Sequence, residues 1–204
     1  DAISLRDVQD EIRSLTATQL SLAFLCTIVS YLSLTNYDRL ALQYVKHRID
    51  VPELLSISFT AFAIGHNVGF AAVSGGSIRF RAYSAEGLSA VEIGKVIAFC
   101  SLTFAIGGSL LLGTTLSVES SETLASLNAP VIVLHALSAM LIVLPLAYVA
   151  VTFIVRRPVR LLHWQVSLPA PTIAVQQILF ASVEMMAAAG TLYVLLPAEA
   201  AVTY

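Results

Sequence analysis

Four long apolar runs constrain this chain more than any other feature of its sequence. They cover residues 16–36, 93–116, 130–155 and 171–197. A bilayer core about 30 Å thick needs roughly 20 apolar residues in helical form, so each run is long enough to span a membrane. Only 12% of residues are charged, against about 25% in soluble domains. The sequence therefore predicts an all-α, multi-pass integral membrane protein and excludes a soluble globular domain.

A fifth apolar segment, residues 54–73, carries glycine, histidine and asparagine in its second half. The loops decide its path, because cytoplasmic loops are enriched in Lys and Arg. Segments 37–53 and 156–163 are basic, whereas 117–129 has two glutamates and no Lys or Arg. A full crossing by 54–73 would place the two basic segments on opposite sides of the membrane. We therefore predict a re-entrant hairpin over about 54–90, in addition to four spanning helices.

The first residues form a separate unit in this prediction. Apolar side chains recur at helical spacing at Leu5, Val8, Ile12 and Leu15, with charged residues between them. This pattern is typical of an amphipathic helix that lies in the membrane interface. We expect such a helix over 1–15, a transmembrane domain over 16–204, and further chain in a longer protein.

The region around the expected turn could recognise a phosphate. Gly75 and Gly76 allow a tight reversal, and Ser74 and Asn67 can bond the backbone groups that the reversal frees. Arg79 and Arg81 follow, with Tyr83 two residues further on. A guanidinium offers a planar fork of donors to a phosphate. The alternative is that both arginines are ordinary anchors at headgroup level.

Glu184 lies near the middle of the last apolar run, where a carboxylate is costly. Gln177, Ala181, Glu184 and Ala188 share one helix face, which we expect to turn towards the protein interior. The carboxylate then serves either a cation-linked or proton-linked site, or a structural hydrogen bond. Asp38, at the end of the first run, is most simply explained by pairing with Arg39 or Lys46.

Other site classes lack support in the sequence. No serine-hydrolase elbow, P-loop, zinc-protease or dinucleotide motif is present, so no catalytic residue is predicted. Cys26 and Cys100 lie inside apolar runs and are expected to be small buried hydrophobes. The four histidines fall in four different segments without ligand-like spacing, so we expect neither a metal nor a cofactor. Nothing in the composition suggests that this segment binds nucleic acid.

The segment NYDRLALQYV and the segment FTAFAIGHNVGFAAVSGGSIRFRAYSAEGLSAVEIGKVIAFCSLTFAIG resemble a known family over about 36–108. They are similar to the N-terminal flippase region of the bacterial multiple peptide resistance factor. That protein is a phosphatidylglycerol lysyltransferase or alanyltransferase that gives resistance to cationic antimicrobial peptides. The resemblance implies a cytoplasmic (inner) membrane location and three functional positions: Asp38, Arg79 and, on hydrophobic layout alone, Glu184.

The resemblance also implies partners and a mechanism. The partners would be phosphatidylglycerol and its aminoacyl form, a C-terminal synthase domain of the same protein that uses aminoacyl-tRNA, and a second copy of the chain in a homodimer. Arg79 and Arg81 would meet the lipid phosphate, and Glu184 and Asp38 its ammonium group, in a cleft between the hairpin and the last helix. The candidate substrate-binding residues are Asp38, Asn67, Ser74, Gly75, Gly76, Arg79, Arg81, Tyr83, Gln177 and Glu184.

Three other functions remain open at this point. The segment could anchor the protein and deliver lipid to the synthase without translocating it. It could be an ion-coupled transporter of a small solute, with Glu184 as the coupling site. It could be a membrane enzyme, which the residues favour least because no nucleophile–base pair is present.

Overall fold

In a computed structural model of the chain, residues 15–68, 71–119, 129–155, 159–161 and 164–196 are described. They form six helices and one short antiparallel ribbon, so the described part is almost entirely helical. The interfacial helix was predicted over residues 1–15, and residues 1–14 lie outside the described part of the chain. The elements are α1 (Ala17–Val45), α2 (Val51–Val68), α3 (Ala71–Ala85), α4 (Ala90–Val118), α5 (Val131–Ile154), β1 (Val159–Leu161), β2 (Trp164–Val166) and α6 (Pro171–Leu195).

Four helices, α1, α4, α5 and α6, are long and apolar enough to cross a membrane. These are the four runs found in the sequence, so the expectation of an all-α fold is confirmed, and the length and composition of these helices are compatible with a membrane protein. The helix α1 continues to Val45 and is thus longer than its apolar run, because its last turns pack against other helices. The ribbon β1–β2, which pairs Leu161 with Trp164, was not expected.

The helices α1 and α6 pack against each other in antiparallel orientation along their length. At one end the Gln19 side-chain amide donates to the Val194 carbonyl oxygen at 3.2 Å. At the other end the Tyr44 hydroxyl donates to the Ser167 carbonyl oxygen at 2.6 Å. Against this pair α4 packs closely, since a Cβ added to Gly107 would lie 2.7 Å from the Ala181 Cβ. These contacts leave no room between the helices for larger side chains.

The helices α2 and α3 form a helical hairpin that packs on α1 and α4. The helix α2 ends at Val68 and α3 begins at Ala71, so the prediction that Gly75 and Gly76 make the turn is wrong. Both glycines lie inside α3, where Gly75 lets α3 approach the Ala61 backbone: a Cβ there would sit 2.7 Å from that carbonyl oxygen. Close helix contact, and not backbone reversal, is therefore what the glycine pair provides.

Both ends of the hairpin lie at one end of the bundle. The helix α2 begins six residues after α1 ends, and α4 begins five residues after α3 ends. Tyr44 in the last turn of α1 stacks on Phe99 of α4 at a centroid distance of 5.6 Å, and its hydroxyl reaches Ser167 before α6. The connections 46–50 and 86–89 therefore lie near the segment that links α5 to α6.

Local sequence explains where the helices begin. Thr16 and Ser89 cap α1 and α4, each accepting a hydrogen bond from the backbone N–H three residues on. The matching Gln19 and Glu92 side chains bond back to the cap residue and complete a capping box. Pro171 is the first residue of α6, a position where proline loses no helical hydrogen bond.

Candidate functional site: a buried ion pair beside a cavity

Arg79 of α3 and Asp38 of α1 form a buried, doubly hydrogen-bonded ion pair. The Arg79 Nε donates to Asp38 Oδ1 at 2.7 Å and Nη2 donates to Oδ2 at 2.8 Å. Asp38 is 0% exposed and Arg79 is 5% exposed. Parallel N–H···O bonds between opposite charges are among the strongest hydrogen bonds in proteins. The pair fixes the hairpin to the first spanning helix.

The Asp38 carboxylate also accepts hydrogen bonds from other helices of the bundle. The Ser58 hydroxyl of α2 donates to Oδ2 at 2.9 Å, and the Tyr83 hydroxyl of α3 donates to Oδ1 at 2.8 Å. The Cys100 thiol of α4 lies 3.7 Å from Oδ1. One carboxylate therefore joins four helices, and its negative charge is shared among a guanidinium and three neutral donors.

The simple explanation of Asp38, a partner in its own helix, is wrong. Arg39 is exposed and donates to the Asn36 side-chain oxygen at 3.4 Å, and Lys46 is the exposed C-cap residue of α1. Successive helical residues point about 100° apart, so the buried face of α1 that holds Asp38 does not include Arg39.

A cavity of about 250 Å³ lies between the hairpin and α4, with Arg79 among its lining residues. The Arg79 guanidinium carbon sits 4.3 Å from the centroid of the Phe62 ring, a cation–π contact that also faces this space. The polar lining consists of His66, Arg79, Cys100 and Ser101, and most of the remaining lining is apolar. An apolar chamber with one guanidinium suits an anionic group attached to an apolar body.

Of the other predicted site residues of the hairpin, some lie at the cavity or the ion pair and some are exposed or half-buried elsewhere on the helices. Gly76 lines the cavity, where a Cβ would lie 3.4 Å from the Ile97 Cδ1, and Tyr83 reaches Asp38. Arg81 is exposed. It follows Arg79 by two residues, and at about 100° per helical residue it lies on the opposite side of α3. Asn67 is also exposed and donates to the Ala63 carbonyl oxygen of its own helix at 2.8 Å. Ser74 is half-buried in α3.

Glu184 contacts α1 through Ser30 and Tyr37 and not through the Asp38–Arg79 ion pair. It is 3% exposed, and it accepts hydrogen bonds from the Ser30 hydroxyl at 3.4 Å and the Tyr37 hydroxyl at 3.5 Å. It is not among the residues that line the cavity. The expected inward face of α6 is confirmed, since Gln177, Ala181 and Glu184 are all buried.

Gln177 holds three spanning helices together and has no direct link to the cavity. Its side-chain oxygen accepts from the Tyr148 hydroxyl of α5 at 2.7 Å, and its amide donates to the Thr103 hydroxyl of α4 at 2.7 Å. Both ends of the amide are thus used within the bundle. Because its hydrogen bonds are internal, Gln177 is better explained as a packing residue than as a ligand-binding one.

Sequence reasoning missed three contacts of the buried acids. Ser58 and Cys100 contact Asp38, and Tyr37 contacts Glu184. Each lies in an apolar run with no distinctive spacing, so only the packing of the helices assigns it a partner. Cys100 is buried, as expected, but its thiol also borders both Asp38 and the cavity. Within the described part of the chain, no group of three or more His, Cys, Asp or Glu residues is placed to hold a metal ion.

Comparison with known proteins places the chain beside one relative. No family model matches it. An uncharacterized protein of Synechocystis sp. is 30% identical over 192 residues, which is 94% of this chain and 60% of the relative. The chain therefore spans about 60% of the length of the curated relative that it matches. That coverage gives the relative roughly 320 residues in all, with about 130 outside the match, the size of one ordinary domain.

Proposed function

We propose that this chain is part of a bacterial membrane protein that translocates a phospholipid with an anionic phosphate group between leaflets. The substrate is phosphatidylglycerol in its aminoacyl form, lysyl or alanyl, as the resemblance to the multiple peptide resistance factor implies. The single observation that carries the proposal is a buried arginine, paired with an aspartate, at the wall of a cavity of about 250 Å³ among apolar helices. The fold and this geometry support the lipid class, and the resemblance supports the headgroup.

The chemistry of the headgroup matches the ion pair. An alanyl-phosphatidylglycerol carries an anionic phosphate and one cationic ammonium, and the lysyl form carries a second ammonium. Each charge is costly in hydrocarbon without a partner. A bound headgroup can exchange charges with the site, so that Arg79 meets the phosphate while Asp38 meets the ammonium. In the empty site the two side chains neutralise each other. Arg79 and Asp38 therefore each keep a partner of opposite charge as lipid enters and leaves.

This version of the mechanism needs fewer residues than the sequence suggested. Arg81 is exposed and Glu184 faces α1, so neither has a part in headgroup contact. Arg81 instead acts as an interfacial anchor. The apolar walls, including Phe62 and Ile97, contact the glycerol region while the acyl chains remain in the surrounding lipid.

The hairpin α2–α3 is re-entrant in this proposal. At about 1.5 Å per residue, its helices of 18 and 15 residues are about 27 and 22 Å long, shorter than the bilayer core of about 30 Å. Both ends lie near the α5–α6 connection, on the side where the basic segments 37–53 and 156–163 meet the cytoplasm. A re-entrant backbone is tolerated where protein buries it or water reaches it, and the packing of the hairpin on α1 and α4 supports the first of these conditions.

A static anchoring module is the second candidate, and one observation favours it. Among the described residues, no buried side-chain nitrogen or oxygen lacks a hydrogen-bond partner, as expected of a scaffold that does not rearrange. Such an anchor would deliver lipid to a synthase.

Reconstitution in proteoliposomes tests the proposal. We expect labelled lysyl-phosphatidylglycerol to cross faster than in protein-free vesicles, and faster than labelled phosphatidylcholine. Arg79→Gln should reduce the rate at least about tenfold, the effect of about 1.4 kcal/mol. The matched control Arg39→Gln removes an exposed arginine and should leave the rate unchanged. Equal rates for folded Arg79→Gln and wild type would contradict the proposal and favour the anchor.

A further inference from the structure

Glu184 is a buried acid whose surroundings differ from those of Asp38. Asp38 has a guanidinium against both oxygens, whereas the recorded partners of Glu184 are two hydroxyl groups, at 3.4 and 3.5 Å. Both distances exceed the usual O–H···O range of about 2.5–3.0 Å, so these contacts are weak. Glu184 lies thirteen residues into the 25-residue helix α6, near the middle of a span.

The groups that face Glu184 from the helices around α6 offer it no positive charge. From α1 the facing titratable group is the Tyr37 hydroxyl. The Cys100 thiol of α4 turns towards Asp38, and the Tyr148 hydroxyl of α5 turns towards Gln177. Lys95 of α4, His135 of α5 and Arg39 of α1 are exposed. Within the described residues, no Lys, Arg or His forms a hydrogen bond or salt bridge with Glu184.

A neutral carboxylic acid fits this environment better than a carboxylate. An unpaired buried charge is strongly disfavoured at membrane depth, and such groups lose the charge or find a counter-ion. Hydroxyls can accept a hydrogen bond from a carboxylic acid and can also donate one to a carboxylate. Ser30 and Tyr37 can therefore serve both forms of Glu184 by rotating their hydroxyl hydrogens.

The position of Tyr37 links this acid to the ion pair. Tyr37 and Asp38 are adjacent in α1 and, at about 100° per residue, they face different helices. The Tyr37 hydroxyl contacts Glu184 on α6, and the Asp38 carboxylate holds Arg79 on α3. A change in the hydrogen bond of Tyr37 therefore acts on the helical turn that positions the ion pair.

We propose that Glu184 binds and releases one proton in each transport cycle and so couples lipid translocation to a proton gradient. In the release step the carboxyl O–H bond breaks and the proton passes to water. The resulting carboxylate is then stabilised by O–H donation from Ser30 and Tyr37. The inference rests on the proposed function, and it names the energy source that moves lipid through the Arg79 site.

Two measurements test it separately from the lipid assignment. Infrared spectroscopy of the purified protein should show a carboxylic acid C=O band at neutral pH that Glu184→Gln removes. Absence of that band, or its persistence in the variant, would overturn the inference whatever the lipid result. If Glu184→Gln fails to fold, Glu184→Asp keeps an acid in place and should retain a shifted band.

The second measurement is translocation of labelled lysyl-phosphatidylglycerol across proteoliposomes with an imposed pH gradient and clamped membrane potential. We expect the gradient to change the wild-type rate severalfold, and Glu184→Asp and the exposed control Glu53→Gln to keep that response. Glu184→Gln should lose it. A wild-type rate that is indifferent to pH, or that follows a sodium gradient instead, would overturn proton coupling while leaving translocation intact. Failure of wild type to move lipid at all would overturn the proposed function and the coupling, even with the infrared band present.

Discussion

Arg79 and Asp38 are 41 residues apart in the sequence, yet the Arg79 guanidinium meets the Asp38 carboxylate through two hydrogen bonds of 2.7 and 2.8 Å. Ser58, Tyr83 and Cys100 complete the surroundings of that carboxylate. The same contacts therefore hold the hairpin in the bundle and form one wall of the cavity. Stability and ligand binding are expected to depend on the same two side chains, and variants must separate the two effects.

Asp38→Asn should destabilise the protein strongly. The substitution keeps the shape of the side chain but leaves the Arg79 charge buried without its counter-ion. Removing one partner of a buried pair costs about 3–5 kcal/mol. The measurement is the unfolding midpoint in detergent, with Arg39→Gln as the exposed control, expected to change stability by less than about 0.5 kcal/mol. An Asp38→Asn midpoint equal to that of wild type would show that the pair contributes little to folding.

Gly75→Ala should loosen the contact between α2 and α3. Its Cβ would lie 2.7 Å from the Ala61 carbonyl oxygen, and backbone cannot move aside as a flexible side chain can. We expect a loss of about 1–3 kcal/mol, the usual cost of overpacking. Gly94→Ala is the matched control, because a Cβ at Gly94 meets nothing within 4 Å and alanine favours the helix. Equal effects of the two substitutions would rule out this explanation of Gly75.

Gly76→Leu should block the cavity without unfolding the protein. A Cβ at Gly76 lies 3.4 Å from the Ile97 Cδ1, a tight contact with the end of a flexible side chain, and a longer side chain would extend into the space beside Arg79. We expect translocation of labelled lysyl-phosphatidylglycerol to fall by about tenfold or more, with an unfolding midpoint close to that of wild type. Normal transport with the cavity filled would place the lipid path elsewhere.

Labelling of single cysteines tests the re-entrant hairpin. In a background without Cys26 and Cys100, cysteines at the exposed positions Arg48 and Glu86 flank the hairpin, and one at Glu119 follows α4. An impermeant thiol reagent should reach the first two from the cytoplasmic side and the third from outside. Labelling of positions 48 and 86 from opposite sides would show that the hairpin region crosses the membrane.

Local patterns predicted much of this architecture. Apolar length alone located α1, α4, α5 and α6, because the membrane imposes a minimum span on each helix. Helical periodicity placed Gln177 and Glu184 on an inward face, since a costly polar group on a span turns away from lipid. These inferences succeeded because each depends on residues within one element.

The partners of the site residues could not be predicted in the same way. Pairing of Asp38 with Arg79 depends on how the hairpin packs against α1, so the nearer Arg39 was the simpler choice. The glycine pair at 75 and 76 fits both a turn and a close helix contact, and only the packing of Ala61 distinguishes them. Ser58 and Cys100 carry no pattern at all, because a single small polar side chain in an apolar run has no periodicity.

The exchanged variant Asp38→Arg with Arg79→Asp tests the central claim most directly. It keeps a buried ion pair between α1 and α3 but puts a carboxylate where the guanidinium lined the cavity. We predict an unfolding midpoint that recovers towards wild type from that of Asp38→Asn, while translocation of lysyl-phosphatidylglycerol remains lost. Recovery of both stability and translocation in the exchanged variant would show that the pair is structural and contradict a role for Arg79 in binding the lipid phosphate.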